Sequence, residues 1–351
     1  MSISVSSISK SFGPHRALDD VSLSIETGTF FVVLGPSGCG KSTLLRSIAG
    51  LEPIDAGRIA LGGTDVARDG FHMAPEDRRV GVVFQSYALW PHMSVSGNVA
   101  FPLETAGQKR SDVSARVSDC LATVSLTAFS DRKPAELSGG QRQRVALARC
   151  LAQGARTVLM DEPLANLDPH LRSVMEEELS AFHDASGATT VFITHDQREA
   201  MALADKVAVM WEGKVLQVDE PDTIYRCPNS RRVAGFVGRS SLVPVRTDNV
   251  EGQKASVVLG QRSIETECAA GTRGGPATLL IRPEHLVPDA ESPDLEGTVV
   301  RTVYRGGSWD VHVAVDDIED PLLVTLHRRA DKGDVLPLSV TRSWVIPEQN
   351  P

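Results

Sequence analysis

Residues Gly35-Pro36-Ser37-Gly38-Cys39-Gly40-Lys41-Ser42 follow the pattern Gly-x-x-x-x-Gly-Lys-Ser, and they constrain this chain more than any other stretch. Before them runs Thr29-Phe30-Phe31-Val32-Val33-Leu34, a short apolar stretch of the kind a buried parallel strand shows. After them Thr43-Leu44-Leu45-Arg46-Ser47-Ile48-Ala49 reads as helix. A glycine-rich loop between a strand and a helix N-terminus is a phosphate-binding loop. The glycines let the backbone turn its N–H groups onto a phosphate, and the helix adds its positive dipole end. Lys41 can reach β- and γ-phosphates, and Ser42 can hold Mg²⁺. A glycine-rich turn that only caps a helix is the plain alternative. The residues downstream decide between the two.

Several later segments repeat one arrangement, a core strand ending in a polar residue. Residues 79–84 read as a strand that ends at Gln85, and residues 157–160 as one that ends in Asp161-Glu162. Residues 190–194 read as another, ending at His195. In an open α/β sheet, ligands bind at the C-terminal ends of the strands. Paired with a phosphate loop, Asp161 reads as the Mg²⁺-side carboxylate. Glu162, one peptide unit further, reads as the group that polarises a water, and His195 as a contact to phosphate or to that water. Between residues 86 and 136, Pro91, Pro102 and Gly107 break the pattern, and 112–125 has a helical period. This stretch reads as a mostly helical insertion. It leads to Leu137-Ser138-Gly139-Gly140-Gln141, directly before a helix, which reads either as a second anion site without a lysine or as a plain N-cap on a surface helix. Near the N-terminus, alternating Ile3, Val5, Ile8 and Val21, Leu23, Ile25 give two strands, with Phe12 in the loop between them. Phe12 reads either as a hairpin hydrophobe or as a ring that stacks on a nucleobase. Cys39, close to a helix N-terminus and to Lys41, is expected to lean toward thiolate.

The chain has 351 residues, enough for two domains. Beyond Gly238 helical periodicity almost vanishes, and short strands with Gly and Pro punctuation follow at 243–245, 256–259, 278–281, 297–303, 310–315, 322–325 and 335–340, as in small β-barrels. That region carries no recognisable catalytic constellation. A net charge of −9 disfavours nucleic acid as a partner. Five cysteines, none in a C-x-x-C pair, suggest reduced thiols in the cytosol. The N-terminus does not read as a signal peptide, and no apolar run is long enough to span a bilayer. Work at a membrane would therefore need other chains to cross it.

Taken in order, residues 35–42, Gln85, 137–141, 158–162, 164–168 and His195 resemble the ATP-binding-cassette (ABC) ATPases over residues 1–235. The stretches 84–92 and 194–201 are similar to the ATPase subunits of bacterial importers for maltose-type sugars, polyamines, ferric iron and sulfate. Ile281-Arg282-Pro283-Glu284-His285 resembles their transport-associated OB-fold domain. The resemblance implies an α/β P-loop NTPase with a mixed-sheet core and a helical subdomain at about 86–155. A C-terminal all-β OB-fold-like regulatory domain would cover 236–351. It implies ATP and Mg²⁺ as cofactors. Phe12 would stack on adenine, and Gly35, Pro36, Ser37, Gly38, Cys39, Gly40, Lys41, Ser42 and Thr43 would bind phosphates and metal. Gln85 would touch Mg²⁺ and the attacking water and relay to a membrane partner. Asp161 would support Mg²⁺, Glu162 would be the general base, and His195 would hold the γ-phosphate. Ser138, Gly139, Gly140 and Gln141 would close on the ATP of a second copy, since the insertion carries that turn away from its own phosphate loop. The implied assembly is a homodimer on two transmembrane permease subunits, peripheral on the cytoplasmic face of the bacterial inner membrane, fed by an external substrate-binding protein. An exporter is disfavoured because no fused membrane domain is seen. A soluble non-transport ABC ATPase and a regulatory module with secondary ATPase activity are the alternatives, and the solute itself is not legible.

Overall fold

Buried apolar strands and the first helix build the core of the N-terminal part of the chain. In the computed structural model, which describes residues 1–348 except Asn166, Gln261, Asp289 and Ala290, the chain starts with β1 (Ile3–Phe12) and β2 (His15–Ile25). Their pairing shifts register between Val5 and Ile8, where Ser7 has φ 48°. That bulge explains why Ile8, one position out of strict alternation, is still buried. Next come β3 (Phe30–Leu34), with all five residues buried, and α1 (Lys41–Ala49). β4 (Ala56–Leu61), β5 (Thr64–Arg68) and β6 (Phe71–His72) complete an antiparallel sheet ordered β2-β1-β4-β5-β6. Then β7 (Val80–Val83) leads into α2 (Val95–Thr105), α3 (Arg110–Thr123) and α4 (Gly139–Ala152), the expected helical insertion. The remainder is β8 (Thr157–Asp161), α5 (Pro169–Ser186), β9 (Thr189–Thr194), α6 (Gln197–Leu203), β10 (Lys206–Trp211) and β11 (Lys214–Asp219).

Five strands of the larger sheet, β7, β8, β9, β3 and β10, are mutually parallel, and β11 is antiparallel to β10. Leu44, Leu45 and Ile48 of α1 join one apolar core with Ile8 and Val21 of the first sheet and Phe31, Leu159 and Ile193 of the second. At about 1.5–3 kcal/mol for each fully buried aliphatic or aromatic side chain, this packing fixes where α1 begins. Because the strands are parallel, residue 35 and residues 85, 161, 162 and 195 all come to the same sheet edge.

The chain divides into two units, Met1–Pro221 and Asp222–Pro351. The sequence reading put the division at 235/236, but α7 (Pro221–Arg226) and α8 (Arg231–Phe236) fall almost wholly in the second unit. Arg282 accounts for this. It is buried and donates Nη1 to Val237 O (2.7 Å) and Nε to Tyr225 O (3.1 Å), tying both helices to the β structure.

The second unit continues with β12 (Ser241–Glu251), β13 (Lys254–Leu259), β14 (Arg262–Cys268) and β15 (Gly275–Ile281). After β16 (Leu286–Pro288), β17 (Leu295–Tyr304), β18 (Trp309–Val315), β19 (Leu322–Leu326) and β20 (Val335–Val340) comes β21 (Trp344–Pro347). β12-β13-β14-β21-β15 close into a barrel, and the others form a sheet ordered β16-β20-β17-β18-β19. One apolar core serves both. The all-β, OB-like architecture is therefore present. Three of its strands, β14, β16 and β21, were not anticipated. β14 places Thr266 among its buried positions, so its alternation is faint to any apolar count.

Candidate nucleotide site

The phosphate loop is shaped by what its glycines face. A Cβ on Gly35 would sit 2.3 Å from Met210 O, and one on Gly40, at φ 105°, would sit 2.2 Å from Ala17 O. Both positions require glycine. Gly40 is the N-cap of α1 and has no side-chain cap, and no acidic residue stands in the first turn. The orphan N–H groups of the helix start thus have no carboxylate to answer them. Lys41 is only 4% exposed, yet its Nζ contacts no carboxylate among the described residues. It donates to the carbonyls of Gly35 (2.8 Å) and Pro36 (3.0 Å). A buried ammonium held only by neutral acceptors is a costly arrangement that an anion would relieve. Pro36 and Thr43 are half-buried and Ser37 and Gly38 exposed, so the loop's tip is open. Beside it lies a hollow of about 440 Å³ lined by Pro36, Ser37, Gly38 and Cys39 together with His15, Arg16 and the turn 211–213.

Ser42 Oγ donates to Asp161 Oδ1 at 2.8 Å, which brings the two expected metal-side residues together across β8 and α1. No cluster of three metal-ligating carboxylates, histidines or cysteines occurs among the described residues. One carboxylate and one hydroxyl leave most of an octahedral shell to water and phosphate, as Mg²⁺ prefers. Glu162 lies just beyond β8 with φ 46°, a left-handed conformation that costs a non-glycine residue about 1–3 kcal/mol. Two backbone bonds hold it there: its N–H donates to Ile193 O (3.1 Å) and its carbonyl accepts from Ala165 N (3.3 Å). The bend turns the carboxylate toward His195, whose Nδ1 is 3.1 Å from Glu162 Oε2. As donor to the carboxylate, Nδ1 carries the proton of this bond, and the His195 side chain is half exposed.

Cys39 corrects an expectation. It is 4% exposed, and burial pushes its thiol pKa up, outweighing the lowering by Lys41. The thiol therefore stays protonated, against the thiolate read from its proximity to a helix start.

Among the described residues, no hydrogen bond or ion pair joins the remaining expected residues to the phosphate loop. Phe12 ends β1 with its ring 47% exposed, and Lys10 Nζ stands 5.2 Å from the ring centroid. Lys10 is itself paired with Glu52 at 2.8 Å. Gln85 is exposed just past β7. The turn after it puts Tyr87 and Ala88 at positive φ, and Arg149 of α4 donates to both carbonyls at 3.1 and 2.7 Å. Ser138 caps α4 in a reciprocal box: its Oγ accepts from Gln141 N (3.3 Å), while Gln141 Oε1 accepts from Ser138 N (2.9 Å). A Cβ on Gly140 would lie 2.7 Å from Met175 Sδ, so this glycine answers to packing against α5 of its own chain. No hydrogen bond or ion pair among the described residues joins 138–141 to 35–43. Asn166, within the 164–168 stretch, lies outside the described residues. Arg149, and the group of Arg172, Thr194, Asp196 and Glu199 around His195, carry contacts that spacing did not reveal. Only the stretch 194–201 hinted at the second.

Comparison with known proteins places the chain in a family. Residues 18–165 match the ABC transporter family and residues 279–346 the TOBE domain. A spermidine/putrescine import ATP-binding protein of Chromobacterium violaceum is 44% identical over 330 residues, 92% of this chain and 90% of that protein. A maltose/maltodextrin import ATP-binding protein of Yersinia pestis is 40% identical over 92% of this chain and 88% of its own length. Among solved structures, cbiO1 of Clostridium perfringens, described as part of an ABC transporter complex, superposes with a TM-score of 0.58 at 28% identity, covering 64% of this chain and 90% of that one. A dimeric ATP-binding cassette bound to ADP and Pi gives 0.54 at 30% identity, covering 62% and 98%. The chain belongs to the ABC transporter family. Within it, this is an ATP-binding subunit of the bacterial importer type with a C-terminal TOBE domain, and it hydrolyses ATP to power solute uptake.

Proposed function

We propose that two copies of this chain bind two ATP molecules between them and hydrolyse each at a site shared by both. The observation that carries this reading is the separation of two anion-binding devices within one chain. The loop 35–43 holds a buried lysine with no carboxylate, and the 138–141 turn caps α4 without touching that loop. A head-to-tail pair related by a two-fold axis lets each turn meet the other copy's loop. One of the solved ATP-binding cassettes similar to this chain is dimeric, which supports pairing of two copies.

In each site Lys41 and the N–H groups of residues 35–43 take the phosphates, and Phe12 offers its exposed face to the base. Ser42 and Asp161 would hold Mg²⁺, with Gln85 reaching in from the end of β7. The metal would neutralise charge building on the phosphates. Glu162 is the general base: its free carboxylate oxygen orients and deprotonates the attacking water. His195, kept in register by Glu162, points Nε2 at the γ-phosphate. Ser138 and Gln141 complete the site from the second copy. ADP alone lacks the γ-phosphate that both copies grip, so departure of phosphate after hydrolysis releases the clamp.

The working assembly is a homodimer docked on two permease subunits at the cytoplasmic face of the inner membrane, with an external binding protein delivering solute. No helix among the described residues is long and apolar enough to cross a membrane, which suits a peripheral subunit. The two relatives act on a polycation and a sugar, which fits a subunit that never meets the solute. The test is light scattering on Glu162→Gln at saturating ATP. A dimer with ATP and a monomer with ADP are expected, and a strict monomer in both contradicts the shared site.

A further inference from the structure

The residues flanking His195 on both sides are bound into a network that also reaches the loop following Glu162. Arg172, in the first turn of α5, stands at its centre. Its Nη1 donates to Asp196 Oδ2 at 2.7 Å, and its Nη2 to Leu167 O at 3.3 Å. Its Nε lies 3.5 Å from Glu199 Oε1. Glu199 Oε2 accepts the hydroxyl proton of Thr194, and Thr194 Oγ1 in turn accepts from Asp196 N at 2.9 Å. The peptides on either side of His195 are thereby fixed, one through Thr194 and one through Asp196. Leu167 belongs to the turn whose carbonyls lead back to Glu162: Leu167 N donates to Leu164 O and Ala165 N to Glu162 O. The ring closes at the 3.1 Å contact between His195 and Glu162.

Two features show that this is more than surface pairing. Arg172 is three-quarters buried and Glu199 almost wholly so, which leaves their attraction little screened. The base of α5 is also rigid, because Asp168 caps it with bonds to His170 N and Leu171 N at 3.1 and 3.0 Å. A planar guanidinium can serve a carboxylate on one edge and a carbonyl on another at once, whereas an ammonium on a flexible stem cannot hold that geometry.

We infer that Arg172 is a positioning residue for hydrolysis: it locks the loop after Glu162 to the loop that carries His195 and so sets the distance between them. This rests on the assignment of Glu162 as general base. No hydrogen bond or ion pair among the described residues joins Arg172 to residues 35–43 or to Asp161, so its substitution is expected to leave nucleotide affinity unchanged.

The experiment is a double-mutant cycle on the full chain, with nucleotide binding measured by a fluorescent ATP analogue and hydrolysis by single turnover of radiolabelled ATP. Arg172→Gln should lower kcat by about 10–100-fold, the cost of misplacing a reacting pair by a fraction of an ångström, while KM and analogue affinity stay put. Arg172→Lys keeps the charge but not the fork, and should recover only part of the loss. In the Glu162→Gln background, Arg172→Gln should cost nothing further. Equal fold-losses in both backgrounds, a loss carried by KM, or full activity in either Arg172 variant overturns the inference. Should Arg172→Gln fail to fold, the cycle with Arg172→Lys decides by the same criteria. Glu162→Gln alone reports on the base assignment: if it turns over normally, that assignment fails, whatever Arg172 does.

Discussion

Both units bury charge, but they treat it differently. In the second unit, Arg282 is buried against the carbonyls of Tyr225, Val237 and Arg239, and Asp310 is buried between Arg239 and Arg305. Asp310 is answered by two arginines, and Arg282 spreads four hydrogen bonds over three carbonyls. In the first unit, Lys41 is buried with no carboxylate partner, α1 begins uncapped, and Glu162 sits in a strained backbone conformation. The difference teaches where to look for chemistry. A buried charge met by an opposite charge, or by hydrogen bonds over most of its donors, is architecture, whereas a buried ammonium at an uncapped helix start beside an open loop is waiting for a ligand.

Breaking the comparison at its catalytic end gives the largest effect. Glu162→Gln should cut ATP turnover by about 10²–10⁴-fold, the range for losing a general base, with binding kept. Wild-type turnover would mean that the strained bend serves no chemistry. Lys41→Ala should weaken ATP binding by about 10–100-fold, at about 1.5–3 kcal/mol for hydrogen bonds to a charged group. Equilibrium binding measures it, and an unchanged affinity would make Lys41 architecture after all. Arg282→Ala should strand buried carbonyls and lower the stability of the second unit by about 2–4 kcal/mol. Urea unfolding should show that loss while ATP affinity does not move. The smallest effect concerns Cys39. Because burial raises its pKa, maleimide labelling should be slow at neutral pH and rise about tenfold per pH unit until the thiol ionises. Bound ATP should slow it further. Rapid labelling near pH 7 would show that the loop holds a thiolate.

Much of the first unit was legible because its signals are local. The apolar run 30–34, the glycine pattern at 35–42 and the polar strand ends at 85, 161, 162 and 195 each announce themselves within a few residues. Parallel topology then does the assembly, bringing them to one edge. What stayed hidden was long-range or backbone-borne. Arg172 meets Asp196 and Glu199 only because α5 packs beside the turn after β9, and nothing in the spacing marks it. The positive φ of Glu162 leaves no trace in composition. Cys39 was misjudged because proximity to Lys41 is visible in sequence and burial is not. In the second unit, β14 and β21 pair in parallel across a long stretch of chain, so neither strand advertises its partner. The boundary moved because a buried arginine far downstream recruits α7 and α8.

The central claim is that the first unit holds every group that one copy contributes to ATP. The most direct measurement is equilibrium ATP binding by the fragment Met1–Pro221 beside the intact chain, with circular dichroism confirming that the fragment is folded. The account predicts the same affinity in both, and its loss in the fragment on Lys41→Ala. A folded fragment that fails to bind ATP, while the intact chain binds it, would contradict the claim.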